Sequence, residues 1–108
     1  AHFKKDHQGI TGIVSLLDAA TIGFVNSAAD FGISIPKDLS IIGVNMLESQ
    51  AESTQPSIST VAFDAYEMAK SCGKMMVESI EAGKNNKKKR TELWVGDFVD
   101  RGSATHNQ

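Results

Sequence analysis

Two side chains in this sequence stand where they could do chemistry, Asp18 and Asn45. Each comes at or just after an aliphatic, β-branched run, residues 10–17 (ITGIVSLL) and 39–44 (LSIIGV). In open α/β sheets, ligands bind at the carboxyl ends of parallel strands beside helix N-termini, so residues ending two such strands share one rim. A carboxylate and an amide there suit a ligand rich in hydroxyls or bearing an amine, through paired hydrogen bonds. The junction reads Ser15-Leu16-Leu17-Asp18, which adds the Ser15 hydroxyl. Each residue also has a plain structural reading, Asp18 as a helix N-cap and Asn45 as a turn residue bonded to its own backbone. Pattern alone leaves both readings open.

The other reactive types offer less. His2, His7 and His106 lie near the ends without a partner at helical spacing, and read as solvated surface rather than metal ligands. Cys72 falls on an apolar stripe, where a free cysteine packs as a small hydrophobe. As the single cysteine it makes no intramolecular disulfide, which fits a reducing cytoplasm. Met68, Met75 and Met76 read as core or interface. The run Lys87-Lys88-Lys89-Arg90 reads as a solvated turn, since it lacks interleaved aromatics and a reading helix. No GxGxxG, P-loop, GxSxG or paired-carboxylate arrangement occurs, so no catalytic residue, metal or cofactor is expected and the chain does not read as an enzyme. A net charge of −2 over 108 residues gives no electrostatic footprint for nucleic acid. No apolar run reaches the roughly 18–20 residues that span a bilayer, and no export signal follows Lys4 and Lys5.

These residues need elements to position them. Residues 10–17 predict a strand, and Asp18 opens a helix reaching Phe31, with apolar residues at Ile22, Val25 and Ala29 and again at Phe24, Ala28 and Phe31. Gly32 ends it. After a turn at Pro36-Lys37-Asp38, residues 39–44 predict a second, buried strand, and a βαβ unit of this length makes the two strands parallel. Residues 45–57 form a long polar connection containing Gln55-Pro56. Residues 59–63 are extended, 65–82 helical with Gly83 as stop, 84–90 a turn, and 92–99 a final strand. The order β-α-β-β-α-β predicts an α/β fold with a mainly parallel sheet.

In unbroken order over about residues 10–105, these segments resemble the C-terminal stretch of the lactose/galactose repressor family. The carriers are GIVSLLDAATIGF at 12–24, GISIPKDLSIIGVN at 32–45, QPSISTV at 55–61, the helix at 67–80, and ELWVGDFVDRGS at 92–103. The resemblance implies a partial periplasmic-binding-protein-like fold, with the chain as the C-terminal fragment, residues 1–108, of an effector-binding and dimerisation domain. It implies a small, sugar-like effector, a homodimer, a cytoplasmic location, and operator DNA contacted only through an N-terminal helix-turn-helix outside these residues. By position it makes Asp18 a ligand contact, sets Asn45 where the family usually has Asp, and brings Phe63 and Asp64 near the cleft. It puts Ile22, Val25 and Ala29 of the first helix, and the loop near Glu52, close to a dimer partner. The sequence departs from the family pattern at Leu17-Asp18, usually Asn-Asp, and at Asn45-Met46, usually an acidic pair; the pocket is less acidic for it. In the family the helix over 65–82 packs on a first subdomain absent here, so its apolar face is expected to self-associate or repack. Two rival readings are a fragment of a transporter's sugar-binding protein, which shares the fold, and a receiver-type phosphoacceptor domain, which needs an acidic cluster that Asp18 alone does not supply.

Overall fold

The computed structural model describes residues 8–83 and 89–106. The chain divides into two compact units, residues 1–62 with 97–108, and residues 63–96.

The first unit holds a four-stranded sheet in the order β1-β2-β3-β4. β1 (Gly12–Ser15) and β2 (Ser40–Val44) are parallel, as the intervening helix requires, with Ile13 beside Ile41 and Ser15 beside Gly43. β3 (Ser59–Ala62) continues parallel to β2, and β4 (Asp97–Val99) closes the edge antiparallel, Ala62 facing Asp97. The fold is α/β with a mainly parallel sheet, as the element order predicts.

Strand alternation sends Ile13, Ile41 and Gly43 to one face, where α1 (Asp18–Ala28) packs. Val25, Ile41, Met46, Ala51 and Ile58 form its core, and Ala28, Ile33 and Leu39 a second cluster. A 3₁₀ turn (Ala29–Phe31) extends α1, and Gly32 ends it at φ 67°, a left-handed conformation that costs glycine nothing. The opposite face carries Val14, which is 65% exposed, and Phe98.

The start of β2 and β3 is sewn shut by residues 100–105. Ser103 inserts its backbone carbonyl onto the Ile41 amide at 2.9 Å, donates its hydroxyl to the Ile41 carbonyl at 2.6 Å, and accepts the Ser59 amide at 2.8 Å. Arg101 donates its guanidinium to the Ile58 carbonyl at 3.0 Å, and Thr105 donates its amide to the Ser40 hydroxyl at 3.0 Å. These bonds satisfy backbone groups that the sheet leaves unpaired at its starting edge.

Three expectations need correction. Asp18 is not the N-cap: Leu17 takes that place in extended conformation with no side-chain cap bond, and Asp18 lies one residue inside, in the first turn. The connection at 45–57 is not irregular throughout, because α2 (Glu48–Ala51) forms a single turn that buries Ala51. The last strand covers only 97–99; residues 92–96 fall in the second unit and carry no ladder.

The second unit contains α3 (Ala65–Glu81), whose Asp64 accepts the Glu67 amide at 3.0 Å as a true N-cap. No residue of α3 is buried, and Tyr66, Met76 and Ile80 are exposed. The Ser71 hydroxyl donates to Glu92 at 2.6 Å, and Arg90 pairs with Glu78. That bond from Arg90 holds the Glu78 carboxyl below the ordinary glutamate range. Lys84 to Lys88, and so half of the basic run, lie outside the described residues.

Candidate functional site

Because Ser15 lies beside Gly43 in parallel strands, the chain leaves β1 and β2 at the same edge of the sheet. The segments carrying Asp18 and Asn45 emerge there together, and both residues are half-buried. Asp18 sits at the amino-terminal end of α1, where the helix dipole favours a negative group. Asn45 turns the chain at φ 52°, a left-handed conformation that asparagine tolerates, and its backbone N–H donates to the Val61 carbonyl at 2.7 Å. The bond to β3 fixes where the residue leaves the sheet.

Ser15 faces the helix. Its hydroxyl lies 2.5 Å from that of Thr21, which in turn bonds the Leu17 carbonyl at 2.9 Å. With one proton on each hydroxyl, Thr21 donates to Leu17 and accepts from Ser15. Thr21 is 1% exposed, so this chain of bonds ties the end of β1 to the first turn of α1 and holds the segment bearing Asp18. Sequence reading missed Thr21, although a polar residue on the inward stripe of α1 was the signal to look for.

The residue after Asn45 was also missed. Met46 is 5% exposed and turns into the core over Gly43. A Cβ on residue 43 would stand 2.5 Å from its sulfur, so the glycine is needed for the methionine to lie there. The two residues after β2 therefore part ways, Asn45 at the rim and Met46 beneath it. Leu16, Leu17 and Leu47 flank the rim, 79%, 66% and 66% exposed.

Phe63, the remaining ligand candidate, belongs to the second unit, as does Asp64, whose carboxylate is engaged in capping α3. Of the four residues assigned to a dimer contact, Val25 is buried in this chain's own core and Ile22 packs half-buried against it. Val25 also lines the groove that Ala29 borders. Ala29 and Glu52 are exposed, and Glu52 lies 3.9 Å from Arg101. Ala29 borders a shallow groove of about 200 Å³, with Ile33, Ile35, Gln55 and Pro56 on its walls.

Cys72 is exposed rather than packed, because α3 buries none of its stripe; with Met75, Met76, Ser79 and Arg90 it lines an open hollow of about 250 Å³. Among the described residues no group of three or more His, Cys, Asp or Glu could hold a metal ion, and no helix is long and apolar enough to cross a membrane.

A mainly parallel sheet whose carboxyl edge carries a carboxylate and an amide, framed by exposed leucines, is the arrangement at which open α/β sheets take their ligands. Residues 3–104 match the periplasmic binding protein-like domain, and the chain belongs to that family. The HTH-type transcriptional regulator MalR of Clostridium butyricum is 30% identical over 83 residues, which are 77% of this chain and 24% of MalR. The crystal structure of a transcription regulator from Lactobacillus plantarum superposes with a TM-score of 0.68 at 27% identity, covering 94% of this chain and 38% of its own. A LacI family transcriptional regulator from Arthrobacter sp. FB24, solved in complex with lactose, gives a TM-score of 0.69 at 24% identity, covering 96% of this chain and 39% of its own. The chain thus spans about a quarter of MalR and under two-fifths of the two solved regulators.

Proposed function

We propose that this chain is the C-terminal part of the effector-binding and dimerisation region of a LacI-family transcriptional regulator that responds to a sugar or related metabolite. The observation that carries the reading is the single rim bearing Asp18 and Asn45 on a sheet whose relatives are transcriptional regulators. Those relatives favour a regulator over the sugar-binding component of a transporter. They also favour a non-enzymatic, cytoplasmic role, in which operator DNA is touched only by a helix-turn-helix outside these residues. Asp18 and Asn45 would bond ligand hydroxyls in pairs, with the leucines against the sugar's apolar face. Binding that prefers one arrangement of the region over another would shift operator affinity by that preference. Homodimer contacts are assigned to Ile22, Val25, Ala29 and Glu52, with the groove that Val25 and Ala29 line.

The test is a titration of the isotope-labelled chain with lactose, sucrose, maltose and glucose, followed by amide chemical shifts. At least one sugar is expected to move the amides of residues 16–18 and 45–47 saturably, and Asp18→Ala is expected to weaken that response about tenfold or more. If none of the four sugars moves those amides, the reading is wrong.

A further inference from the structure

The first turn of α1 carries Asp18 but lacks the device that ordinarily steadies such a turn. Its N-cap is Leu17, extended at φ −128° and ψ 111°, and no side chain caps the leading amides. An uncapped first turn frays, because its first N–H groups have no intrahelical partner. Thr21 supplies what Leu17 cannot. It is the single polar residue that α1 buries. Its backbone N–H and its hydroxyl both donate to the Leu17 carbonyl, at 3.0 and 2.9 Å, and the same hydroxyl accepts from Ser15 at the end of β1. One buried side chain thus ties the residue before Asp18 both along the helix and across to the sheet.

The other half of the rim is anchored without Thr21. Asn45 is held by its backbone N–H on the Val61 carbonyl of β3, and Met46 packs over Gly43. Ser15 and Gly43 are partners in the register of β1 and β2, so the two anchors stand in adjacent rows beneath one rim. Each steadies one side of it.

We infer that Thr21 is the positioning residue of the rim: through Leu17 and Ser15 its hydroxyl orders the segment bearing Asp18 opposite Asn45. At 1% exposure it reaches no ligand itself and acts through Asp18. This rests on the proposed effector site and adds the residue that controls its affinity. A ligand bonded at two points gains fully from both only when both are ordered before it arrives, since ordering a loose segment on binding is subtracted from the affinity.

Two measurements separate this role from the site it serves. The first needs no effector: backbone amide relaxation of the labelled chain carrying Thr21→Val, which keeps the side-chain shape and removes the hydroxyl. Amide order parameters at 16–18 are expected to fall from about 0.85 toward about 0.6, while those at 25–28 and 45–47 hold. Thr21→Ser is expected to restore them. Because Thr21→Val strands the Ser15 hydroxyl, the double variant Ser15→Ala/Thr21→Val is measured beside it. With both partners apolar its stability is expected to stay close to that of the unchanged chain, and the tie is gone. A segment 16–18 as rigid in both variants as in the unchanged chain overturns the inference, whatever the chain binds. The second measurement follows the response to lactose, sucrose, maltose and glucose. Thr21→Val is expected to weaken the responding sugar about fivefold or more, and Thr21→Ser to keep it within about twofold. In the Asp18→Ala background Thr21→Val is expected to add no further loss. A loss that persists in full in that background overturns the positioning role while leaving the effector site in place. Loosening of 16–18 with no response to any of the four sugars removes the effector site and leaves Thr21 as the residue that orders the segment.

Discussion

Gly43 and Met46 show how one residue type depends on another three positions away. Gly43→Ala would force the Met46 side chain from its place, because the new Cβ would stand 2.5 Å from the sulfur and 2.9 Å from Cγ. Overpacking of this kind costs about 1–3 kcal/mol, read by chemical denaturation. Adding Met46→Ala is expected to recover part of the Gly43→Ala loss, since the two changes act on one space and their effects do not add. Asn45 gives a second prediction at this scale. At φ 52°, Asn45→Val, with its branched Cβ, is expected to lose roughly 1–2 kcal/mol, read by chemical denaturation. The position of Asn45 was legible in the sequence, because a residue directly after a buried strand of a βαβ unit must leave at the carboxyl edge. Which of two neighbouring loop residues turns inward was not, since Asn45-Met46 has no periodicity to read.

Among the elements, the parallel strands and both long helices were legible because each spans enough residues for its spacing to repeat. α2 was not: four residues make one turn, below the length at which a pattern declares itself. The final strand was drawn too long for a related reason. The apolar residues Leu93, Trp94, Val95, Phe98 and Val99 mark 92–99 as a segment fit to be a strand, but a strand exists only where a neighbour supplies the ladder, and only 97–99 has β3 beside it. Elements are also held by residues that propensity does not flag. Ser103→Ala removes the donor to the Ile41 carbonyl and the acceptor of the Ser59 amide, both buried. The expected loss is about 1–3 kcal/mol, visible as a lower denaturation midpoint with fast exchange at Ser59. In α3, the depressed Glu78 pKa makes its bond with Arg90 stabilising above the ordinary glutamate range and lost as pH falls through the lowered value. Glu78→Gln is therefore expected to lower helicity slightly at neutral pH and not in acid. The effect should vanish in high salt because the pair is exposed.

At the scale of the molecule, the fold class followed from element order, whereas the division into two units did not. Nothing in the polarity of residues 63–96 announces that they cluster apart from the sheet. The apolar stripe of α3 reads from sequence as a face awaiting a cover, and no residue of the helix is buried. Self-association through this face and through the Ala29 groove can be told apart by sedimentation. Ala29→Arg is expected to weaken association if the groove is the contact, and Ile80→Lys if α3 is. An unchanged profile in Ala29→Arg would remove the dimer assignment at the groove.

The stitching of β2 and β3 by residues near the end of the sequence has a consequence for biosynthesis. Translation delivers Ile41 62 residues and Ser59 44 residues before Ser103, so their backbone groups wait for their last partners while the ribosome reads on. A nascent chain arrested just past Val99 should remain open to protease at the start of β2, and release of the next few residues should close it.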